Sequence, residues 1–211
     1  ELLSCISNCI KEKQKYRILG NGSNIVVQDK GIDGLVIQNS KALDYYSYSD
    51  DVVTVGSSVM LSKFVNSNIL NSLEGMEYLY TIPGTIGGAI YMNAGRGKKH
   101  RSAISDRLLS VVAYNGKEEI VLEKEDLEFA FRKSMFQRRN DLVILEAKFS
   151  LNRQEKKIGM QKVTERIEYF KRLKQTEYPS AGSVYTDCSL PVLRMLSKIK
   201  IGGCKFDGNW I

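Results

Sequence analysis

Apolar residues at Leu2, Leu3, Ile6 and Ile10 recur at helical spacing and predict a helix at the start of the chain. Short β-like runs follow at residues 16–19, 24–28, 35–37 and 52–55, punctuated by Gly20, Gly22, Gly31 and Gly34. They predict a small α/β lobe that ends near Ser57. Leu61, Phe64, Val65 and Ile69 return to helical spacing, and a glycine-rich loop follows at residues 83–88. Residues 108–114 and 119–122 are strand-like and flank Asn115-Gly116, a strong hairpin signal. Residues 142–151 read as another strand, and Met160, Val163, Ile167 and Phe170 as a helix. Pro191 is placed to open a last helix, because proline suits a first helical turn.

Composition narrows this picture. At 211 residues, 43% hydrophobic and 26% charged, with three prolines, the chain can build a core of ordinary size. No run of about 18 apolar residues is present, so no membrane-spanning helix is expected. The sequence begins at Glu1 without a signal-peptide pattern and stops at Asn209-Trp210-Ile211, and it reads as a segment of a longer protein. Four cysteines (Cys5, Cys9, Cys188 and Cys204) form no CxxC pair, which argues against a metal site and for reduced thiols in a cytoplasm. The net charge of +7 gathers at residues 11–15, 96–101 and 171–174. The aromatics do not interleave with these runs, so a solvated surface or a phosphorylated ligand is expected rather than nucleic acid.

Two glycine-rich stretches carry the candidate chemistry and read together as two walls of one cofactor cleft: Leu19-Gly20-Asn21-Gly22-Ser23-Asn24 and Ile82-Pro83-Gly84-Thr85-Ile86-Gly87-Gly88-Ala89. Backbone without Cβ atoms can approach a bulky anion and offer it N–H donors. The first stretch is not a Rossmann fingerprint. Position 25 is isoleucine where a third glycine would stand, and the β-branched run Ile25-Val26-Val27 follows where a helix would open. No Gly-Lys-Ser/Thr follows, which excludes a P-loop. A strand–loop–strand anion cradle is expected, with N–H groups of residues 20–24 as donors. The second stretch, stiffened by Pro83, could lie against a flat ring system or pack a helix onto a strand.

The order and spacing of further segments add to these two. They are Met92-Asn93-Ala94-Gly95, Phe129-Ala130-Phe131-Arg132-Lys133-Ser134-Met135-Phe136, Tyr178-Pro179-Ser180-Ala181-Gly182-Ser183-Val184-Tyr185 and Gly202-Gly203. Together they resemble the UDP-N-acetylenolpyruvoylglucosamine reductases, the MurB-type flavoenzymes of peptidoglycan synthesis. The resemblance implies an α+β architecture: a two-lobed FAD-binding fold of the vanillyl-alcohol-oxidase (PCMH) type, followed by a smaller α/β substrate domain. It places the first lobe at residues 1–57, the second at 58–152 and the substrate domain at 153–211. It implies FAD and NADPH as cofactors and a UDP-linked sugar as substrate; the charge pattern and the lack of a long apolar run leave neither nucleic acid nor membrane as an expected partner.

The same resemblance assigns roles. Gly20, Asn21, Gly22, Ser23 and Asn24 would hold the FAD pyrophosphate. Pro83, Gly84, Thr85, Gly87, Gly88 and Ala89 would lie along the flavin, with Asn93 and Gly95 completing the cofactor set. Arg132 would stabilise the dianionic enolate left when hydride reaches the enolpyruvyl alkene, and Ser183 would donate the proton. His100, the single histidine, sits in a basic run and forms no acyl-transfer dyad. The chain ends before the region that carries the family's catalytic glutamate. It also departs from the family at Tyr185-Thr186-Asp187-Cys188, where an aromatic, a cation and proline are usual, and at the basic run 96–101. Lys98 and Lys99 there could offset Asp187 beside a diphosphate. Two other readings stay open on sequence: a divergent flavoprotein acting on another metabolite, and a flavin-free interaction scaffold.

Overall fold

The computed structural model describes residues 1–96 and 102–172 and the backbone of 200–201 and 204–205. The chain divides into two compact units, Glu1–Arg166 and Ile167–Ile211. In the first, α1 (Leu2–Lys11) turns Ile6 and Cys9 inward and leaves Ile10 in solvent. β1 (Tyr16–Leu19) runs parallel to β2 (Leu35–Gln38), with Tyr16 opposite Leu35 and Leu19 opposite Gln38. Parallel neighbours need a long return connection. Residues 20–34 supply it with neither helix nor strand. The strand expected at residues 24–28 is therefore absent. The segment is spent on the crossover, and its β-branched residues meet no partner strand among the described residues. Val26 stands 98% exposed.

β3 (Tyr46–Ser49) and β4 (Val52–Gly56) form a hairpin and lead into α2 (Leu61–Leu70). Then come β5 (Leu73–Glu74), the short helix α3 (Ile86–Tyr91), β6 (Gly95–Arg96) and β7 (Ser102–Ala103). β8 (Leu108–Tyr114) and β9 (Glu119–Glu123) pair around Asn115, as the hairpin signal predicts. The loop has four residues, closed by Asn115 Oδ1, which accepts from the amides of Lys117 and Glu118 at 2.9 Å each. β10 (Val143–Ser150), β11 (Asn152–Arg153) and α4 (Lys156–Arg172) complete the order. In the second unit, β12 (Lys200–Ile201) pairs antiparallel with β13 (Cys204–Lys205).

The main sheet is antiparallel throughout, in the order β3-β4-β10-β8-β9. The first two strands, ending at Gly56, thus share a sheet with residues 108–150. Tyr46, Val55, Ala147 and Val111 line up across one face, as do Tyr48, Val53 and Phe149. That face meets α2, where the Phe64 and Phe149 rings lie 5.5 Å apart. On the other face Ile6 of α1 packs with Tyr114, Val143 and Leu145. The register shifts between Ile144 and Glu146 in β10, so the unbroken apolar run at 142–145 is covered on both sides of the sheet. A full side chain buried here, such as Phe149, contributes about 3–5 kcal/mol by the usual cost of its truncation.

The helix expected over Leu61, Phe64, Val65 and Ile69 is α2, and all four are buried. α3 is a departure from the expected loop at residues 83–88. Two glycines, each about 1 kcal/mol poorer than alanine in a helix, hide it in the sequence. Burial of Ile86, Ala89 and Ile90 and a Thr85 cap hold it in the fold. The helix expected at Pro191 lies outside the described residues.

Candidate cofactor site

The first glycine segment is a bare rim. Asn21, Ser23 and Asn24 are exposed, and Gly22 takes φ +70° with open space where a side chain would stand. Among the described residues, no hydrogen bond uses the amides of Gly20, Asn21, Gly22, Ser23 or Asn24, nor the side chains of Asn21, Ser23 and Asn24. Amides left without a partner in a short solvent-facing turn are donors available to an anion.

The second segment meets the first. A methyl group on Gly20 would lie 2.7 Å from Thr85 Oγ1, and one on Gly84 would lie 3.5 Å from Ser23 Oγ. The absence of both side chains lets the two bends touch. The second segment is otherwise zipped to the chain leaving β4. Leu61 N donates to Gly84 O at 2.9 Å, Ile86 N to Val59 O at 2.9 Å, and Gly87 N to Ser57 O at 2.9 Å, with Met60 bridged to Thr85. Thr85 Oγ1 accepts from Gly88 N at 3.3 Å, and Ala89 N donates to Thr85 O at 2.9 Å. Gly87 sits against Ser57, where an added Cβ would come within 3.0 Å of the serine Cβ. Pro83 and Gly88 are exposed.

The Met92-Asn93-Ala94-Gly95 segment holds the candidate catalytic arginine. Asn93 takes φ +43°, and its side chain is used at both ends: Nδ2 donates to Ala130 O at 2.9 Å and Oδ1 accepts from Ser105 N at 3.4 Å. Arg132 donates to Asn93 O at 3.4 Å and to Gly95 O at 2.6 Å, and its guanidinium lies 5.2 Å from the centre of the Phe131 ring. It has no carboxylate partner among the described residues. Half-burial pushes its pKa below the ordinary arginine value, yet a guanidinium stays charged at neutral pH. The result is a fixed cation oriented by carbonyls, with no carboxylate among the described residues to neutralise it.

Arg132 occupies the tight turn Ala130-Phe131-Arg132-Lys133 at φ +57°. A non-glycine residue there costs about 1–2 kcal/mol. Two residues that the sequence reading left without a role hold it. Ser134 Oγ donates to Tyr91 O at 2.7 Å, and Gln137 Nε2 donates to Tyr91 O at 3.1 Å and to Arg132 O at 3.0 Å. Ser134 stands inside the motif that carries Arg132; Gln137 has no such signal. Tyr91 ends α3 and Thr85 caps its start, so the glycine segments and the Arg132 turn are attached to opposite ends of a helix about 9 Å long. Ser183, His100, Lys98, Lys99, Gly202-Gly203 and the run Tyr185-Thr186-Asp187-Cys188 lie outside the described residues.

An anionic dinucleotide fits the first segment, where the unbonded amides can meet a pyrophosphate and Gly22 leaves room for it. The family described as "FAD binding domain" matches residues 1–122, and FAD is the cofactor that this domain implies. Fold and rim therefore define a flavin-binding protein of the PCMH type. UDP-N-acetylenolpyruvoylglucosamine reductase of Clostridium tetani is 42% identical over 170 residues, which cover 81% of this chain and 54% of that protein. The enzyme of the same name from Bacillus subtilis is 32% identical over 208 residues, covering 93% of this chain and 67% of its own length. The crystal structure of UDP-N-acetylenolpyruvylglucosamine reductase (MurB) from Thermus caldophilus superposes with a TM-score of 0.75 at 24% identity, over 97% of this chain and 77% of that one. The chain belongs to the UDP-N-acetylenolpyruvoylglucosamine reductase family. It spans little more than half the length of the Clostridium tetani relative. Among the described residues no helix is long and apolar enough to cross a membrane, and no group of three or more potential ligands could hold a metal ion.

Proposed function

We propose that the full protein is an FAD-dependent reductase that uses NADPH to convert UDP-N-acetylglucosamine enolpyruvate to UDP-N-acetylmuramate in peptidoglycan synthesis, in the cytoplasm. The observation that carries this reading is the row of unbonded amides at Gly20–Asn24 set against Thr85. When bound, FAD relays reducing equivalents from NADPH to the alkene of the sugar. Asn21, Gly22, Ser23 and Asn24 grip the pyrophosphate. Pro83, Gly84, Thr85 and Gly88 form the neighbouring wall, and Gly87 and Ala89 keep that wall in place through their bonds to Ser57 and Thr85, while Asn93 and Gly95 complete the cofactor set beyond α3 and seat Arg132.

Arg132 acts on the substrate. Its unneutralised guanidinium holds the substrate carboxylate through two parallel bonds and stabilises the charge that develops when the alkene becomes an enolate. Ser183 then gives its proton to the enolate carbon. The 42% identity to a named reductase favours this reading over a divergent flavoprotein or a flavin-free scaffold.

The visible spectrum of the full-length protein tests it. NADPH should bleach the flavin band and the enolpyruvyl sugar should restore it. A colourless protein that takes up no FAD rejects the reading. Bleaching by NADPH with no recovery on adding this sugar rejects the substrate alone.

A further inference from the structure

A buried polar knot lies behind the two glycine segments. Asn39, Ser57 and Ser58 are 5%, 3% and 1% exposed. Asn39 Nδ2 donates to Ser57 Oγ at 3.0 Å, and Ser58 Oγ donates to Asn39 Oδ1 at 2.6 Å. Ser58 Oγ in turn accepts from Leu43 N at 3.1 Å. The backbone of the same residues reaches both segments. Asn39 N donates at 2.8 Å to the carbonyl of Leu19, the residue before Gly20. Ser57 O accepts from Gly87 N at 2.9 Å, and Gly87 packs on Ser57 without a side chain between them. One asparagine thus joins the small parallel sheet that ends in the first segment to the strand exit that carries the second.

We propose that Asn39 is a positioning residue that locks the two glycine segments to each other, and so sets how tightly FAD is held. The consequence for FAD rests on the functional reading above; the locking does not. Two side-chain bonds in a buried setting give the junction a single geometry, because either partner left alone would be an unsatisfied buried polar group. The contact between Gly20 and Thr85 has no latitude of its own. A small slip between β2 and Ser57 would open it or drive it into clash.

The test uses Asn39→Ala, Ser58→Ala and the double variant. Amide exchange of the ligand-free chain, read residue by residue by NMR, should accelerate at least tenfold at position 39 and at Gly87. The amides of the β8–β9 hairpin should keep their parent rates. FAD dissociation constants should rise at least tenfold in Asn39→Ala, and adding Ser58→Ala should raise them little further, since both changes cut one junction. Val111→Ala, a core truncation that weakens the fold generally, should leave FAD affinity unchanged. Acceleration of every amide alike, or of none, overturns the proposal. So does a parent-like FAD affinity in Asn39→Ala. Should Asn39→Ala fail to fold, Ser58→Ala is read by the same criteria. A parent chain that takes up no FAD removes the functional reading, and the exchange data still decide the role of Asn39.

Discussion

The two glycine-rich segments look alike in sequence and are used in opposite ways. In Gly20–Asn24 the backbone is free: five amides have no partner among the described residues, and at Gly22 nothing fills the space of a side chain. In Gly84–Ala89, and on through the following Met92–Gly95 segment, the backbone is spent. The amide of Gly87 is bonded to Ser57, and Gly95 has the carbonyl of Ser102 where its Cβ would be. One segment keeps its glycines so that something outside the chain can approach. The other keeps them so that the chain can approach itself. A glycine-rich motif is therefore not in itself a ligand site; what matters is whether its amides are already bonded.

The largest effect expected on the reaction comes from the residue that the spent segment supports. Arg132→Ala in the full-length protein should slow flavin reoxidation by the enolpyruvyl sugar by about 10²–10³, as for the loss of one preorganised charge donor. FAD uptake should be unchanged, because the arginine is docked at the far end of α3 from the free amides. Stopped-flow absorbance measures the first and a binding titration the second. A large loss of FAD binding would mean that the two ends of α3 do not work separately.

Gly95→Ala comes next. Its Cβ would lie 2.2 Å from Ser102 O and 2.7 Å from Ala103 Cα, both backbone atoms that cannot swing aside. Stability in urea should fall by about 3 kcal/mol, the upper range for overpacking. A loss below about 1 kcal/mol would show that the β6–β7 pairing yields easily, and the segment would no longer count as spent.

The Gly20–Thr85 contact joins the two classes and is read by a cycle. Gly20→Ala forces a methyl to 2.7 Å from Thr85 Oγ1, a side-chain atom, and should cost about 1–3 kcal/mol. Thr85→Ala alone loses the α3 cap, for about 1 kcal/mol. Combined, the second change removes the atom that the first one strikes. The double variant should therefore be more stable than the sum of the singles by about 1 kcal/mol. Additivity would place the two bends apart in solution.

Much of this was legible from residue order, and the exceptions have physical causes. α2 and the β8–β9 hairpin follow from apolar spacing and Asn115-Gly116, because local pattern and burial agree there. β3 has no strand signal in aliphatic spacing because Tyr46-Ser47-Tyr48-Ser49 has no aliphatic residue, although its period of two sets both tyrosines on the face toward α2. Tyr48 Oη confirms this by donating to Ser67 Oγ at 2.7 Å. Residues 24–28 misled in the other direction: β-branched chemistry fits a strand, but the crossover pairs with no strand among the described residues. That the two glycine-rich stretches come together is expected from their sequence, whereas the particular meeting of Gly20 with Thr85 is a tertiary fact with no trace in spacing. The motif pattern carried Arg132, while its left-handed backbone and its support from Gln137 depend on residues folded around it.

The smallest expected effect on stability is the sharpest probe of the free segment. In the ligand-free chain Gly22→Ala meets no atom within 4 Å, so its only penalty there is the left-handed φ of +70°, about 1 kcal/mol. Urea denaturation of the ligand-free variant should therefore show a loss of about 1 kcal/mol or less. On binding, the added methyl takes up the room that the pyrophosphate uses, so the FAD dissociation constant should rise by more than the roughly fivefold that about 1 kcal/mol represents. A loss of about 3 kcal/mol or more in urea would mean that the space beside Gly22 is filled within the chain, as it is beside Gly95. An FAD affinity equal to the parent's would mean that the ligand does not use that space. Either result would end the contrast between the two segments.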